Sequence, residues 1–176
     1  AYLSSMPIWN LAEPVMEKLV AEVRESCSVA VLDGTDIVYV LRIPTHKIMS
    51  INLGVGSRLP AYCTSLGRVL LGALPDEELV ERLKRSDITT RTKYTVTGMK
   101  DLLARMEQTR KQGWSMVNQE LEEGLVSMSA PITDRAGRTV AALNISGQAN
   151  RTSARIMQET MLPPLLSAAK DISRML

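Results

Sequence analysis

Phenylalanine is missing from this sequence of 176 residues, and histidine occurs once, as His46. A single histidine excludes a Cys/His zinc cluster. Two cysteines, Cys27 and Cys63, are too few for a disulfide framework. Sparse cysteine without a signal-peptide pattern points to a reducing, cytoplasmic setting. Charge of one sign is lacking too: 21 Lys+Arg stand against 19 Asp+Glu, a formal +2. With no block of basic residues, the chain carries no nucleic-acid footprint of its own. Long apolar runs are also absent. The stretch 69–74 falls far short of the roughly 20 residues that span a bilayer, so membrane insertion is not expected.

What is present suits one globular domain. The hydrophobic share of 45% is enough to offset ordering entropy, which excludes disorder. Aromatics are confined to Trp9, Trp114, Tyr2, Tyr39, Tyr62 and Tyr94, so ten Met with Val, Ile and Leu must fill the core. The chain opens at Ala1 almost directly into a helical pattern, as expected of a piece of a longer protein.

Residues 8–25 carry Ile8, Leu11, Val15, Leu19 and Val23 at helical spacing, with Pro14 shifting the expected start inward. Two β-branched runs, 28–32 and 37–43, flank Asp33-Gly34-Thr35-Asp36 and predict a hairpin. A third strand is expected over 47–53, then a loop over 54–60. Thr64 or Ser65 is placed to cap a helix over 66–74, and Pro75 to open another with Leu79, Val80 and Leu83 apolar. Residues 86–97 show no period and read as an irregular crossing. A helix is predicted over 99–112 with Leu102, Leu103, Met106 and Thr109 inward, stopped by Gly113. A short strand at 114–119 and a second hairpin, 125–133 with 138–145, follow. The tail 152–176 reads as helix, broken or kinked at Pro163-Pro164. Strands arriving in hairpins imply a mainly antiparallel sheet of about six strands with helices to one side, an α+β domain.

Catalytic signals are weak. Cys63 has only His46 as a conceivable base and reads as a small packed side chain. Asp33 and Asp36 fit turn-capping, and Glu120-Leu-Glu-Glu123 fits a solvated loop better than a cation site. The glycines at 54, 56, 67 and 72 do not match a phosphate loop. No enzyme, metal or cofactor is expected. Binding signals are better. The helix start at Ser65, with the amides of Leu66, Gly67 and Arg68, could receive a carboxylate, although the spacing alone favours an ordinary N-cap. Ser127, Ser129, Asn144 and Ser146 each fall on one face of their strands, which fits either a pocket wall or the solvent side.

The segments Gly56-Ser-Arg-Leu-Pro-Ala-Tyr-Cys-Thr-Ser-Leu-Gly-Arg-Val-Leu-Leu71 and Asp134-Arg-Ala-Gly-Arg-Thr-Val-Ala-Ala-Leu-Asn-Ile-Ser-Gly147, with 113–132 and Arg151, resemble the effector-binding domain of IclR-type transcription regulators. The likeness covers essentially the whole chain. Tyr2-Leu-Ser-Ser5, Ser26-Cys-Ser-Val-Ala-Val-Leu-Asp33, Ile37-Val-Tyr-Val40 and Pro60-Ala-Tyr-Cys-Thr-Ser65 resemble the branch that regulates protocatechuate, β-ketoadipate and 4-hydroxybenzoate catabolism.

The resemblance implies a GAF-like fold over residues 1–176, serving effector binding and oligomerisation, with a winged helix-turn-helix upstream. It implies a small carboxylate effector, perceived without catalysis, in a homodimer or homotetramer that meets operator DNA only through that upstream domain. The pocket positions it implies are Leu59, Ser65, Leu66, Asn118, Ser127, Asn144 and Ser146. Relatives that bind very small acids often carry an acidic residue, Cys and Ser at the positions of Asn118, Ser127 and Asn144; these departures leave the identity of the ligand open and keep a polar pocket. Rival readings are an enzyme acting on a similar acid and a purely oligomerising module.

Overall fold

The computed structural model describes residues 7–45 and 53–176. The Asp33–Asp36 turn joins β1 (Ser26–Asp33) to β2 (Asp36–Ile43), with Gly34 at φ +65, a backbone that glycine adopts without a Cβ penalty. Both acids also pair with the exposed Arg58, which ties the turn to β3 (Arg58–Pro60), an edge strand inside the expected loop. The strand expected over 47–53, the Tyr2–Ser5 motif and His46 lie outside the described residues, apart from Leu53.

The second hairpin pairs β5 (Leu125–Thr133) with β6 (Thr139–Gln148), and β4 (Ser115–Asn118) flanks β5. β6 closes on β1, giving one antiparallel sheet in the order β3-β2-β1-β6-β5-β4. Side-chain alternation divides this sheet into two faces. Val29, Met128, Leu143 and Ile145 point to one and pack against α2 (Glu13–Val23) and α6 (Ala154–Ser173). Ile37, Tyr39 and Ala142 point to the other, under α3 (Ser65–Gly72), α4 (Asp76–Arg85) and α5 (Met99–Gln112). Helices therefore cover both faces, correcting the one-sided arrangement read from the hairpins: the central strands β1 and β6 are buried on both sides over most of their length and need two apolar partners.

Three local expectations also change. The first helical stretch divides into a turn, α1 (Pro7–Asn10), and α2, whose Pro14 sits in the first turn. Its inward residues are Trp9, Ala12, Met16 and Leu19, while Leu11 is 55% exposed, because the chain turns between α1 and α2. Pro163 and Pro164 lie inside an unbroken α6. Pro163 is exposed, so the carbonyls deprived of donors can meet water, while Met157, Leu165 and Ile172 anchor both halves on the sheet. Glu120 is no solvated loop residue. Its carboxylate is buried, clasped by Arg68 of α3 at 2.6 and 2.8 Å and by the Val96 amide of the crossing segment.

Cys27 and Cys63 are fully buried free thiols, and loss of hydration pushes them up to about 12 and about 11. An unfolded thiol releases its proton near pH 9, so above that pH the folded chain holds protons that the unfolded chain has lost. Stability should therefore fall as pH rises from about 9 toward 11–12. Denaturant titrations across that window should show a steeper decline for the native chain than for Cys27→Ala/Cys63→Ala. Parallel slopes would remove the thiols from the account.

Candidate functional site

α3 sits close over the sheet because Gly67 lets it. A Cβ there would lie 2.0 Å from the Ala61 carbonyl oxygen, a backbone atom that cannot yield. Thr64 caps the helix by accepting the Gly67 amide at 3.1 Å, and its carbonyl accepts from Arg68. Two of the three amides expected to greet a carboxylate are thus engaged, leaving that of Leu66.

Beneath this helix start lies a cavity that opens to solvent at its mouth. Leu59, Ser65, Leu66, Ser127, Asn144 and Ser146, six positions expected from the resemblance, all line it. Asn118 does not. It is exposed, pairs across the ladder with Val126 of the opposite face, and its amide oxygen accepts from Gln119. The β4 residue lining the cavity is its neighbour Val117, one step along the alternation.

The walls differ in character. Leu53, Leu59, Leu66, Leu121 and Val117 form an apolar side. The sheet supplies a polar floor. The Ser65 hydroxyl hydrogen-bonds those of Ser127 and Ser129, the latter at 2.6 Å, which locks α3 to β5. Asn144, 2% exposed, donates through Nδ2 to the Ser146 hydroxyl at 3.1 Å, while its Oδ1 is buried and has no partner among the described residues. A buried acceptor left open costs free energy unless a ligand or water supplies a donor. Tyr39 adds a buried phenol, which loss of hydration pushes above its ordinary value. Cys63 also lines the cavity, but its raised thiol is the protonated, unreactive form.

Reading the sequence missed Tyr39, Val117 and Arg42. Arg42 lies on the same cavity wall, its Nη1 3.2 Å from the Ser28 hydroxyl and its guanidinium 5.9 Å from the Tyr39 ring centre. Simple alternation from Ile37 and Tyr39 puts residue 42 on the opposite face. A β-bulge reverses this: Val29 pairs with Leu41 and Ala30 with Tyr39, leaving Val40 as the extra residue and turning Arg42 inward. Among the described residues no group of His, Cys, Asp and Glu could hold a metal, and no helix is long and apolar enough to cross a membrane.

Comparison with known proteins places this geometry. The profile of the bacterial transcriptional regulator IclR C-terminal domain matches residues 1–174. The Pca regulon regulatory protein of Pseudomonas putida is 42% identical over all of this chain, which spans 61% of that protein's length. A transcriptional regulator from Rhodococcus sp. RHA1 superposes with a TM-score of 0.93 at 46% identity, over 99% of this chain and 70% of that one. The inducer-binding domain of PobR from Acinetobacter, a double mutant in complex with 3-hydroxybenzoic acid, gives 0.88 at 29% identity, over 95% of this chain and 98% of that one. The matched family is one of transcriptional regulators, not enzymes. This chain belongs to the IclR family of bacterial transcriptional regulators, as its C-terminal domain.

Proposed function

We propose that this domain senses a small carboxylic acid of aromatic catabolism, a hydroxybenzoate, protocatechuate or β-ketoadipate, and transmits its presence without chemistry. The observation that carries this reading is a cavity with an apolar wall, a polar floor and an open acceptor on Asn144. The PobR domain, which holds 3-hydroxybenzoic acid, supports an aromatic acid as one such ligand. The contacts proposed are Leu59, Ser65, Leu66, Ser127, Asn144 and Ser146; Asn118, facing away, is proposed to have no direct contact. Effector binding would favour one arrangement of protomers in a cytoplasmic homodimer or homotetramer, and so of DNA-binding heads carried on an N-terminal winged helix-turn-helix.

Calorimetric titration with 4-hydroxybenzoate, protocatechuate and β-ketoadipate tests this, with thermal shift as a second readout. Asn144→Ala and Ser146→Ala should each weaken binding of the acid that titrates by about 1–3 kcal/mol while the domain stays folded. No stabilisation by any of the three would leave an oligomerising module with an idle cavity. Unchanged affinity in both variants would place the ligand elsewhere.

A further inference from the structure

We infer that Arg42 is the carboxylate anchor of this cavity and sets its specificity for anionic over neutral ligands. The inference rests on the effector-binding reading and moves the anion from the start of α3 to the β2 side of the floor.

Among the described residues, Arg42 is the only ionised side chain lining the cavity. It is half-buried, and no Asp or Glu among those residues pairs with it. Its polar contact is the Ser28 hydroxyl, and Ser28 is fully buried. A guanidinium offers five donors, and among the described residues one of them is used, by Ser28, so the remainder can receive an anion in the cavity. The bulge at Val40 is the device that brings the charge inward, and bulges are enriched where a strand must re-aim one side chain.

Cross-strand register shows what else the anion would meet. Arg42 pairs with Ser28, Ser28 with Asn144, and Asn144 with Ser129, one polar row across β2, β1, β6 and β5. Three strand spacings of about 4.8 Å separate the ends of that row at the backbone, about 14 Å. One carboxylate cannot serve both ends. At the far end the Ser65 hydroxyl is already bonded to Ser127 and Ser129, and the Gly67 amide is capped. At the near end the guanidinium is open. The carboxylate therefore goes to Arg42, in a charge-assisted contact that the planar fork can make bidentate. Between the two ends, Asn144 Oδ1 meets a ligand hydroxyl, which favours a hydroxylated acid over one offering acceptors alone.

The test compares 4-hydroxybenzoate with 4-hydroxybenzamide by calorimetry, using the full chain, Arg42→Met and Arg42→Lys. The acid should bind the native chain about ten- to a hundredfold more tightly than the amide. Arg42→Met should erase that preference by weakening the acid and sparing the amide. Arg42→Lys should keep part of it, since charge survives but the planar fork does not. If Arg42→Met retains the full acid preference at native affinity, the anchor lies elsewhere while the sensing role stands. If neither compound binds the native chain, the inference fails together with a hydroxybenzoate effector. Unfolding curves for each variant separate lost binding from lost structure.

Discussion

Arg68→Met should destabilise the domain by about 3–5 kcal/mol in denaturant, a large share of the stability of a domain this size. Arg68 is 2% exposed and Glu120 8% exposed. Besides the two bonds to the carboxylate, Arg68 Nε donates to the Tyr62 carbonyl at 3.2 Å. Removing the guanidinium leaves a largely buried carboxylate without its cation and takes a donor from the Tyr62 carbonyl. The damage should spread, because Glu120 also accepts the Val96 amide, and Thr95 donates to its backbone carbonyl. Arg68→Met/Glu120→Gln should recover more than half of the loss, since an amide is far cheaper to bury and keeps an acceptor for Val96. A single variant within about 1 kcal/mol of the native chain would mean that the carboxylate relaxes into solvent and that the pair does not clasp α3 to the crossing segment.

Leu70→Ala should cost about 2–5 kcal/mol, with or without ligand. Leu70 is 5% exposed and packs with Leu66, Leu71 and Met106 beneath the helical layer on the cavity side of the sheet. Truncation removes transfer energy and leaves a void that α3, held to Ala61 through Gly67, cannot readily collapse upon. The ligand-induced rise in melting temperature should stay as large as in the native chain, opposite to Asn144→Ala, where stability holds and the ligand effect shrinks. Differential scanning with and without 4-hydroxybenzoate reads both quantities. A Leu70→Ala domain that unfolds like the native one would show that this face of α3 is less tightly packed than its burial indicates.

Local elements were open to sequence reasoning where the signal is local. The Asp33–Asp36 turn, the Thr64 cap and the 99–112 helix with its Gly113 stop, at φ +84, stand where short-range chemistry placed them. The period-two pattern of Ser127, Ser129, Asn144 and Ser146 likewise placed four small polar groups on single strand faces. The residues that departed are those whose fate depends on distant partners. Glu120 read as a solvated acid until Arg68, 52 residues away, met it. Leu11 read as core until the turn after α1 swung it outward.

Short-range chemistry along the chain sufficed for most of the elements, for the α+β class and, through the motifs, for the family. Those follow from hydrogen bonding and side-chain periodicity over a few residues, and from similarity along the whole chain. Which faces meet, and where the charge lies, depended on the folded arrangement. Alternation says which residues share a face of one strand, but the register between strands says which faces join. Asn118 and Val117 exchanged roles over a single step of that alternation. The bulge at Val40 exists only in the pairing of β1 with β2, and it turns Arg42 from an apparent surface charge into a cation on the cavity wall.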